Sequence, residues 1–258
     1  MPKRRRDLSG KPNSREAGKR RNVQQTESRI ATPVGPSGPP SAMSGAIFVL
    51  DNASLSKGYV GKKEKILSSP EDDAFLVREG KNVSDHRPDI VFEALRGVLD
   101  SALNKAALVQ AVYVKTSSGL LLEVNPHLRI PRSCKRFNGL MLELLQKSCI
   151  RTGDNQEILI RVVKEPLSSY IPQNSRIIGL SYSSTKSVDI EDYVSAFKDD
   201  VNLVFVVGAM AHGKVSSEGT DDYISVSDYP LSAKCCIGII CEALEQKWKV
   251  PQMFLKST

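Results

Sequence analysis

Residues 201–215 read VNLVFVVGAMAHGKV, and 223–233 read YISVSDYPLSA. The run from Leu203 to Val207 is apolar without a break and rich in β-branched residues, and Gly208 ends it. A strand buried on both faces of a parallel sheet has this pattern. A loop carrying Gly213 and Lys214 follows. A second short strand, Ile224 to Val226, leads into Ser227-Asp228-Tyr229-Pro230, and a helical pattern begins at Leu231. Strand, glycine loop, strand, polar loop and helix predict an α/β fold with a small-ligand site at the carboxyl ends of parallel strands, where open α/β sheets hold their ligands.

The same stretch places Gly208 and Gly213-Lys214 at the G-x-x-x-x-G-K spacing of a phosphate-binding loop. That motif also needs Ser or Thr next, to hold magnesium, and a helix whose amino end faces the phosphates. Here Val215 follows, then the polar, acidic SSEGTDDY, which is no helix start. The glycines read better as letting backbone approach a flat, uncharged ligand ring, or as avoiding a Cβ clash.

Charge is unevenly spread. Residues 1–45 contain ten Lys/Arg against three Asp/Glu, which accounts for the whole net charge of +7, while the remainder holds 26 of each sign. Basic clusters at 3–6 and 19–21 precede the Pro/Gly-rich TPVGPSGPPSAMSG, so residues 1–45 are expected to be a disordered arm and linker. The clusters suit a nuclear or nucleolar address or a non-specific RNA arm, with a plain solvated tail as the alternative. The five cysteines, Cys134, Cys149, Cys235, Cys236 and Cys241, show no C-x-x-C and no metal-ligand spacing, which fits reduced core thiols and no metal site. No signal peptide and no membrane-length apolar run is found, so a soluble intracellular protein without a membrane partner is expected. The 258 residues leave room for one folded domain at 46–250 and a short tail at 251–258.

Along that domain, Ala46–Leu50 reads as the first buried strand, and residues 53–83 read as polar and irregular. Ser84 or Asp85 can cap a helix with Pro88 at its first position and Ile90, Ala94, Leu95, Val98 and Leu99 as its apolar stripe. Arg87 and Asp89 flank that proline. Asp89 is either a first-turn carboxylate facing the helix dipole or the partner of an ion pair that holds Arg87 toward a ligand. Leu108–Val114 and Leu120–Val124 read as a hairpin around Ser117-Ser118-Gly119. Pro131 marks a further helix start, which would put Arg132 and Arg136 on one helical face, with Arg129 just before it and Lys135 between. Four cations without an acid, gathered at a helix start, are placed to clamp phosphates bidentately, although charge runs are more usually solvated. Strands at 157–163 and 176–183 and a helix at 188–197 follow. The last helix, Leu231–Trp248, contains Gly238, expected to mark close packing against another backbone or a subunit interface.

Five blocks in order carry a family resemblance: HRPDI at 86–90, EVNPHLRIPR at 123–132, KRF at 135–137, FVVGAMAHGKV at 205–215 and ISVSDYPLSA at 224–233. Through them the stretch from about Ala46 to Val250 resembles the eukaryotic small-subunit ribosomal RNA pseudouridine methyltransferases, nucleolar ribosome-biogenesis proteins of the SPOUT class. The resemblance implies a mostly parallel α/β sheet whose carboxyl-terminal helix forms a trefoil knot, with a hairpin and helical insertion near residues 53–150 carrying the RNA-binding arginines. Knots are rare, and no periodicity would propose one. Also implied are S-adenosylmethionine as cofactor, S-adenosylhomocysteine as product, and no metal. By motif, the cofactor-binding residues would be Ser181, Ser184, Gly208, Gly213, Lys214, Val215, Val226, Ser227, Asp228, Tyr229, Pro230 and Leu231. The RNA-binding residues would be Arg87, Arg129, Arg132 and Arg136.

The reaction so implied is methylation of ring nitrogen 1 of a pseudouridine in small-subunit (18S) rRNA. A homodimer would carry it out in the nucleus and nucleolus, among pre-ribosome assembly proteins of the 40S subunit. Asp89 is the one acidic catalytic candidate near the arginines, and bracing Arg87 is its favoured role. The competing reading is a non-catalytic assembly factor that binds RNA through the same arginines.

Overall fold

A computed structural model describes residues 44–153 and 157–250. The expected basic arm lies outside these residues except for Ser44 and Gly45, and so does the tail after 250. Ser44 and Gly45 are buried and belong to the domain, not to a linker. Gly45 donates its N–H to Asn202 Oδ1 at 3.1 Å, and a Cβ here would sit 2.6 Å from the Leu108 carbonyl oxygen.

The elements run β1 (Ala46–Ala53), β2 (Lys57–Val60), β3 (Lys63–Ile66), α1 (Ser69–Arg78), α2 (Pro88–Leu99), α3 (Ala102–Lys105), β4 (Val109–Thr116), β5 (Leu121–Val124), α4 (Cys134–Lys147), β6 (Cys149–Arg151), β7 (Ile158–Val163), β8 (Ser175–Leu180), α5 (Ile190–Ser195), β9 (Asn202–Gly208), β10 (Asp222–Ile224) and α6 (Ala233–Lys247). Eight strands form one sheet in the order β10-β8-β9-β1-β4-β5-β7-β6. Pairing is parallel from β10 through β4 and antiparallel from β4 to β6. The fold is thus a mixed α/β sheet, mostly parallel, as the apolar runs required.

The interior strands β1 and β9 lie side by side with Phe48 opposite Phe205. Their rings stack at 5.9 Å. Alternation splits each strand between two cores. Phe48, Leu50, Leu203 and Phe205 face the larger one, under α2, α4, α5 and α6. Ile47, Val49 and Val204 face a smaller one with Tyr113 and Tyr170. Burying side chains of this size stabilises by roughly 1.5–3 kcal/mol each. Helix α6 contributes Cys236, Ile237, Ile240, Cys241 and Leu244 to the larger core, packed across α2 and α5.

Several expected boundaries move, each for a local reason. Residues 53–83 are ordered as the β2–β3 hairpin, helix α1 and a 3-10 turn at Val83–Asp85. The hairpin leaves no apolar trace because its strands, KGYV and KEKI, are charged and bury only Ile66. Ser84 and Asp85 sit in the 3-10 turn and do not cap α2. Helix α2 has no side-chain cap; Ser54, just after β1, accepts the Arg87 N–H at 2.9 Å and fixes the turn that enters the helix. Helix α4 starts at Cys134, not Pro131, because the Ser133 hydroxyl accepts the Arg136 N–H and fixes the cap there. Arg132 therefore precedes the helix and shares no helical face with Arg136. Gly238 is exposed, and a Cβ added to it would meet nothing within 4 Å, so it marks no close packing among the described residues.

The crossing at the carboxyl end is tight. Ser181, after β8, donates its N–H to the Ile224 carbonyl at 3.0 Å. On the other side, Ser225 donates to the Lys186 carbonyl at 2.8 Å and accepts from Val188 N–H at 2.9 Å. The chain leaving β10 for α6 is therefore bracketed by both limbs of the 181–188 loop. This arrangement is consistent with the threading that the resemblance implies. No helix among the described residues is long and apolar enough to cross a membrane.

Candidate active site

The loops leaving the carboxyl ends of β8, β9 and β10 converge on a cleft of about 540 Å³, which the start of α2 completes. Clefts of this size hold cofactor-sized ligands. Its floor is Leu180, Val207 and Val215, and its wall carries serine hydroxyls and backbone.

The β9 loop owes its shape to its glycines and Met210. Gly213 has φ +128°, in the region that favours glycine, and a Cβ there would lie 2.8 Å from Met210 Sδ. At Gly208 a Cβ would lie 2.9 Å from Met210 Cε and 3.4 Å from Val215 Cγ2. Met210 is held in turn by Asn52 at the end of β1, whose Nδ2 donates to Sδ at 2.9 Å. Tyr223 Oη donates to the Val215 carbonyl at 3.0 Å and fixes the loop's far end. No helix follows Lys214 directly, which agrees with setting aside a phosphate-binding loop.

The β10 loop is held by its own serines. Ser225 Oγ donates to the Ser227 carbonyl at 2.8 Å, and Ser227 Oγ accepts the Tyr229 N–H at 3.1 Å. Ser232 then caps α6 by accepting the Cys235 N–H at 3.3 Å. In the β8 loop, Ser184 Oγ donates to the Tyr223 carbonyl at 2.8 Å. Asp222 anchors the outer side of this loop. It accepts from Lys186 Nζ at 3.0 Å, Arg176 Nε at 3.0 Å and Tyr193 Oη at 2.8 Å. Burial pushes the Asp222 carboxyl upward, but these three hydrogen bonds outweigh it and hold the group below its ordinary value. The Tyr193 phenol is raised by burial and by its bond to Asp222.

Of the residues assigned to the cofactor by motif, Ser181, Gly208, Gly213, Lys214, Val215, Val226, Ser227, Tyr229, Pro230 and Leu231 line the cleft. Ser184 and Asp228 do not; Ser184 ties the β8 loop to β10, and Asp228 is exposed beside the wall. Sequence reasoning passed over Tyr182, Met210, His212 and Cys236, all on the wall. Met210 and His212 lie between two glycines already singled out, so that loop was itself the signal. Cys236 reads as core from its helical spacing, and burial pushes its thiol up to about 12.

Arg87 also lines the cleft. The expected ion pair with Asp89 is present and bidentate, with Nη2 at 2.7 Å from Oδ2 and Nε at 2.9 Å from Oδ1. That bond keeps the Arg87 guanidinium charged by raising its pKa. Asp89 itself does not reach the cleft wall. Arg129 and Arg132 are exposed on the loop before α4, and Arg136 is exposed in its first turn. None of the three has a salt bridge or side-chain hydrogen bond among the described residues. The start of α4 lies beside that of α2: Phe137 packs on Phe92 at 5.4 Å, and after burial, the Asp89 carboxylate is the next cause raising the Cys134 thiol. The unpaired arginines are thus grouped near the helix start that carries Arg87.

The comparisons with known proteins agree with this arrangement. Residues 48–245 match the family model of the EMG1/NEP1 methyltransferases. The chain is 42% identical over 204 residues to the mouse ribosomal RNA small subunit methyltransferase NEP1, covering 79% of this chain and 82% of the relative. The human protein of that name is 40% identical over the same extent. The crystal structure of Archaeoglobus fulgidus Nep1 bound to S-adenosylhomocysteine shares the fold, with a TM-score of 0.60 at 23% identity over 80% of this chain and 99% of that one. A glycine-shaped cleft at parallel strand ends, a bracketed final crossing and a family match over most of the domain lead to one assignment: the chain belongs to the EMG1/NEP1 methyltransferase family.

Proposed function

We propose that this protein methylates ring nitrogen 1 of a pseudouridine in small-subunit rRNA, using S-adenosylmethionine. The observation that carries the proposal is the meeting, on one cleft, of three strand-end loops and Arg87. The loops fit the cofactor. Gly208 and Gly213 let Met210 pack against the loop backbone where a Cβ would displace it, and this sets the loop shape that the cofactor would meet. The serine hydroxyls and Lys214 offer polar partners beside an apolar floor.

When bound, the cofactor supplies a methyl group already activated on a sulfonium. The protein's task is then orientation and exclusion of water. Arg87, held by Asp89 through Nε and Nη2, keeps further N–H groups that would serve a phosphate of the substrate. Arg129, Arg132 and Arg136 extend that positive surface for the flanking strand. A target base would leave its loop to enter the cleft, as bases attacked by enzymes generally do. Pseudouridine offers N–H at nitrogen 1, where uridine carries its sugar, so an isomerising enzyme must act first.

Nucleolar residence, homodimerisation and work among small-subunit assembly proteins belong to the same proposal and are supported by the family membership. The test is transfer of labelled methyl to two rRNA hairpins, one with uridine and one with pseudouridine at the loop target. Transfer to pseudouridine alone is expected. Tight binding of both hairpins without transfer would favour the assembly-factor reading, to which the three unpaired arginines lend themselves.

A further inference from the structure

Methylation at an N–H nitrogen releases a proton, and the cleft restricts where it can go. Among the described residues lining the cleft there is no Asp or Glu. Asp89 is occupied: Oδ1 and Oδ2 both accept from Arg87, and the group lies off the wall. The titratable side chains on the wall are Arg87 from the turn before α2, Tyr182 from the β8 loop, His212 and Lys214 from the β9 loop, Tyr229 from the β10 loop and Cys236 from α6. Arginine and lysine are proton donors at neutral pH, and tyrosine is a neutral phenol. The Cys236 thiol is pushed up to about 12 by burial. His212 is the one imidazole among them, solvent-exposed and set between the two glycines that shape the cofactor loop.

We infer that His212 is the proton acceptor of the reaction, an inference that rests on the function proposed above. The base's nitrogen 1 donates its electron pair to form the new bond to the methyl carbon as the methyl–sulfur bond breaks, and sulfur keeps the pair of the broken bond as a thioether. The proton on nitrogen 1 passes to an imidazole nitrogen of His212, whose exposure lets it hand the proton to water between turnovers. An imidazole suits this task because it ordinarily titrates near neutral pH, around 6.5.

The experiment compares the wild type with His212→Gln and His212→Ala. It measures methyl transfer to the pseudouridine hairpin from pH 5 to 9, and affinities for S-adenosylhomocysteine and hairpin by calorimetry. His212→Gln should lower kcat by about 100-fold or more, with both affinities within twofold of wild type. The acid limb of the pH–rate profile should disappear, and added imidazole should restore part of the rate to His212→Ala. In the wild type with S-adenosylhomocysteine, NMR of the labelled histidines should show the His212 ring shifted by the pseudouridine hairpin more than by its uridine counterpart. A variant that keeps its rate and its acid limb would overturn the inference and send the proton straight to water. A fall in kcat matched by lost cofactor affinity would also overturn it, making His212 a loop-shaping residue. A wild type that transfers to neither hairpin would instead overturn the methyl-transfer reading itself.

Discussion

Asp222 holds Lys186 at 3.0 Å, and with it the outer limb of the loop that brackets the chain leaving β10. The same carboxylate also engages Arg176 on β8 and Tyr193 on α5, so one side chain ties an edge strand, a helix and a cleft loop together.

Replacing Asp222 with Ala leaves two cations and a phenol without their shared acceptor. We expect a loss of about 1–3 kcal/mol in stability, read by denaturant unfolding, and weaker binding of S-adenosylhomocysteine as the β8 loop loosens. The pH dependence has a definite sign. A carboxyl held below its ordinary value stabilises the fold above about pH 4 and loses that contribution as pH falls through its folded value. The gap between wild type and Asp222→Asn should therefore be constant near neutrality and narrow below about pH 4. A gap that persists at pH 2 would show that packing, not charge, is the source.

Arg87 and Asp89 act as one unit. Asp89→Ala should weaken hairpin binding nearly as much as Arg87→Ala, because it frees the guanidinium to wander. The double variant should cost little more than either single one. A double-mutant cycle should give a coupling of about 0.5–1 kcal/mol, modest because both groups are about a third exposed. Additive losses would mean that Asp89 has a separate role.

Gly213 and Gly208 offer a graded test of the cofactor loop. Gly213→Val forces a β-branched residue to φ +128° and drives its Cβ against Met210 Sδ, so S-adenosylhomocysteine binding should be lost while hairpin binding is retained. At Gly208 the opposing atom is the free end of Met210, which can swing aside. Gly208→Ala should accordingly weaken the cofactor less, and Met210→Ala in the same chain should recover part of that loss. Equal damage at both positions, or loss of hairpin binding as well, would point to misfolding.

Much of this was legible because burial on both faces leaves an unmistakable trace. β1 and β9 carry continuous apolar runs, and the β9 loop carries glycines where a Cβ would collide with Met210. The β2–β3 hairpin was not legible, since strands built from Lys and Glu with one buried side chain look like any polar segment. The start of α4 was misplaced because Pro131 and Ser133 both signal a helix start, and only the hydroxyl's bond to the Arg136 N–H decides between them. Tyr182 became a site residue through topology alone, since nothing local to SYSS says which surface it will line, whereas His212 was within reach because Gly208 and Gly213 flank it. The bracketing of the chain leaving β10 by the 181–188 loop is likewise a property of the whole chain path, which no periodicity reports.

The arginine surface separates electrostatic binding from cofactor chemistry. Arg132 and Arg136 are exposed, unpaired among the described residues and outside the cleft wall, so removing both should leave the fold and S-adenosylhomocysteine affinity intact. If each neutralises one phosphate of a single-stranded loop, the slope of log affinity against log salt should become shallower by about 1.4 for the Arg132→Ala, Arg136→Ala pair. Lys substitutions should keep most of the slope but lose affinity wherever a guanidinium binds a phosphate with two N–H groups, because an ammonium offers only a point charge. Titrations of the hairpin at several salt concentrations read both effects. An unchanged slope would place the RNA on another face and leave Arg87 as the single described contact between the cleft and its substrate.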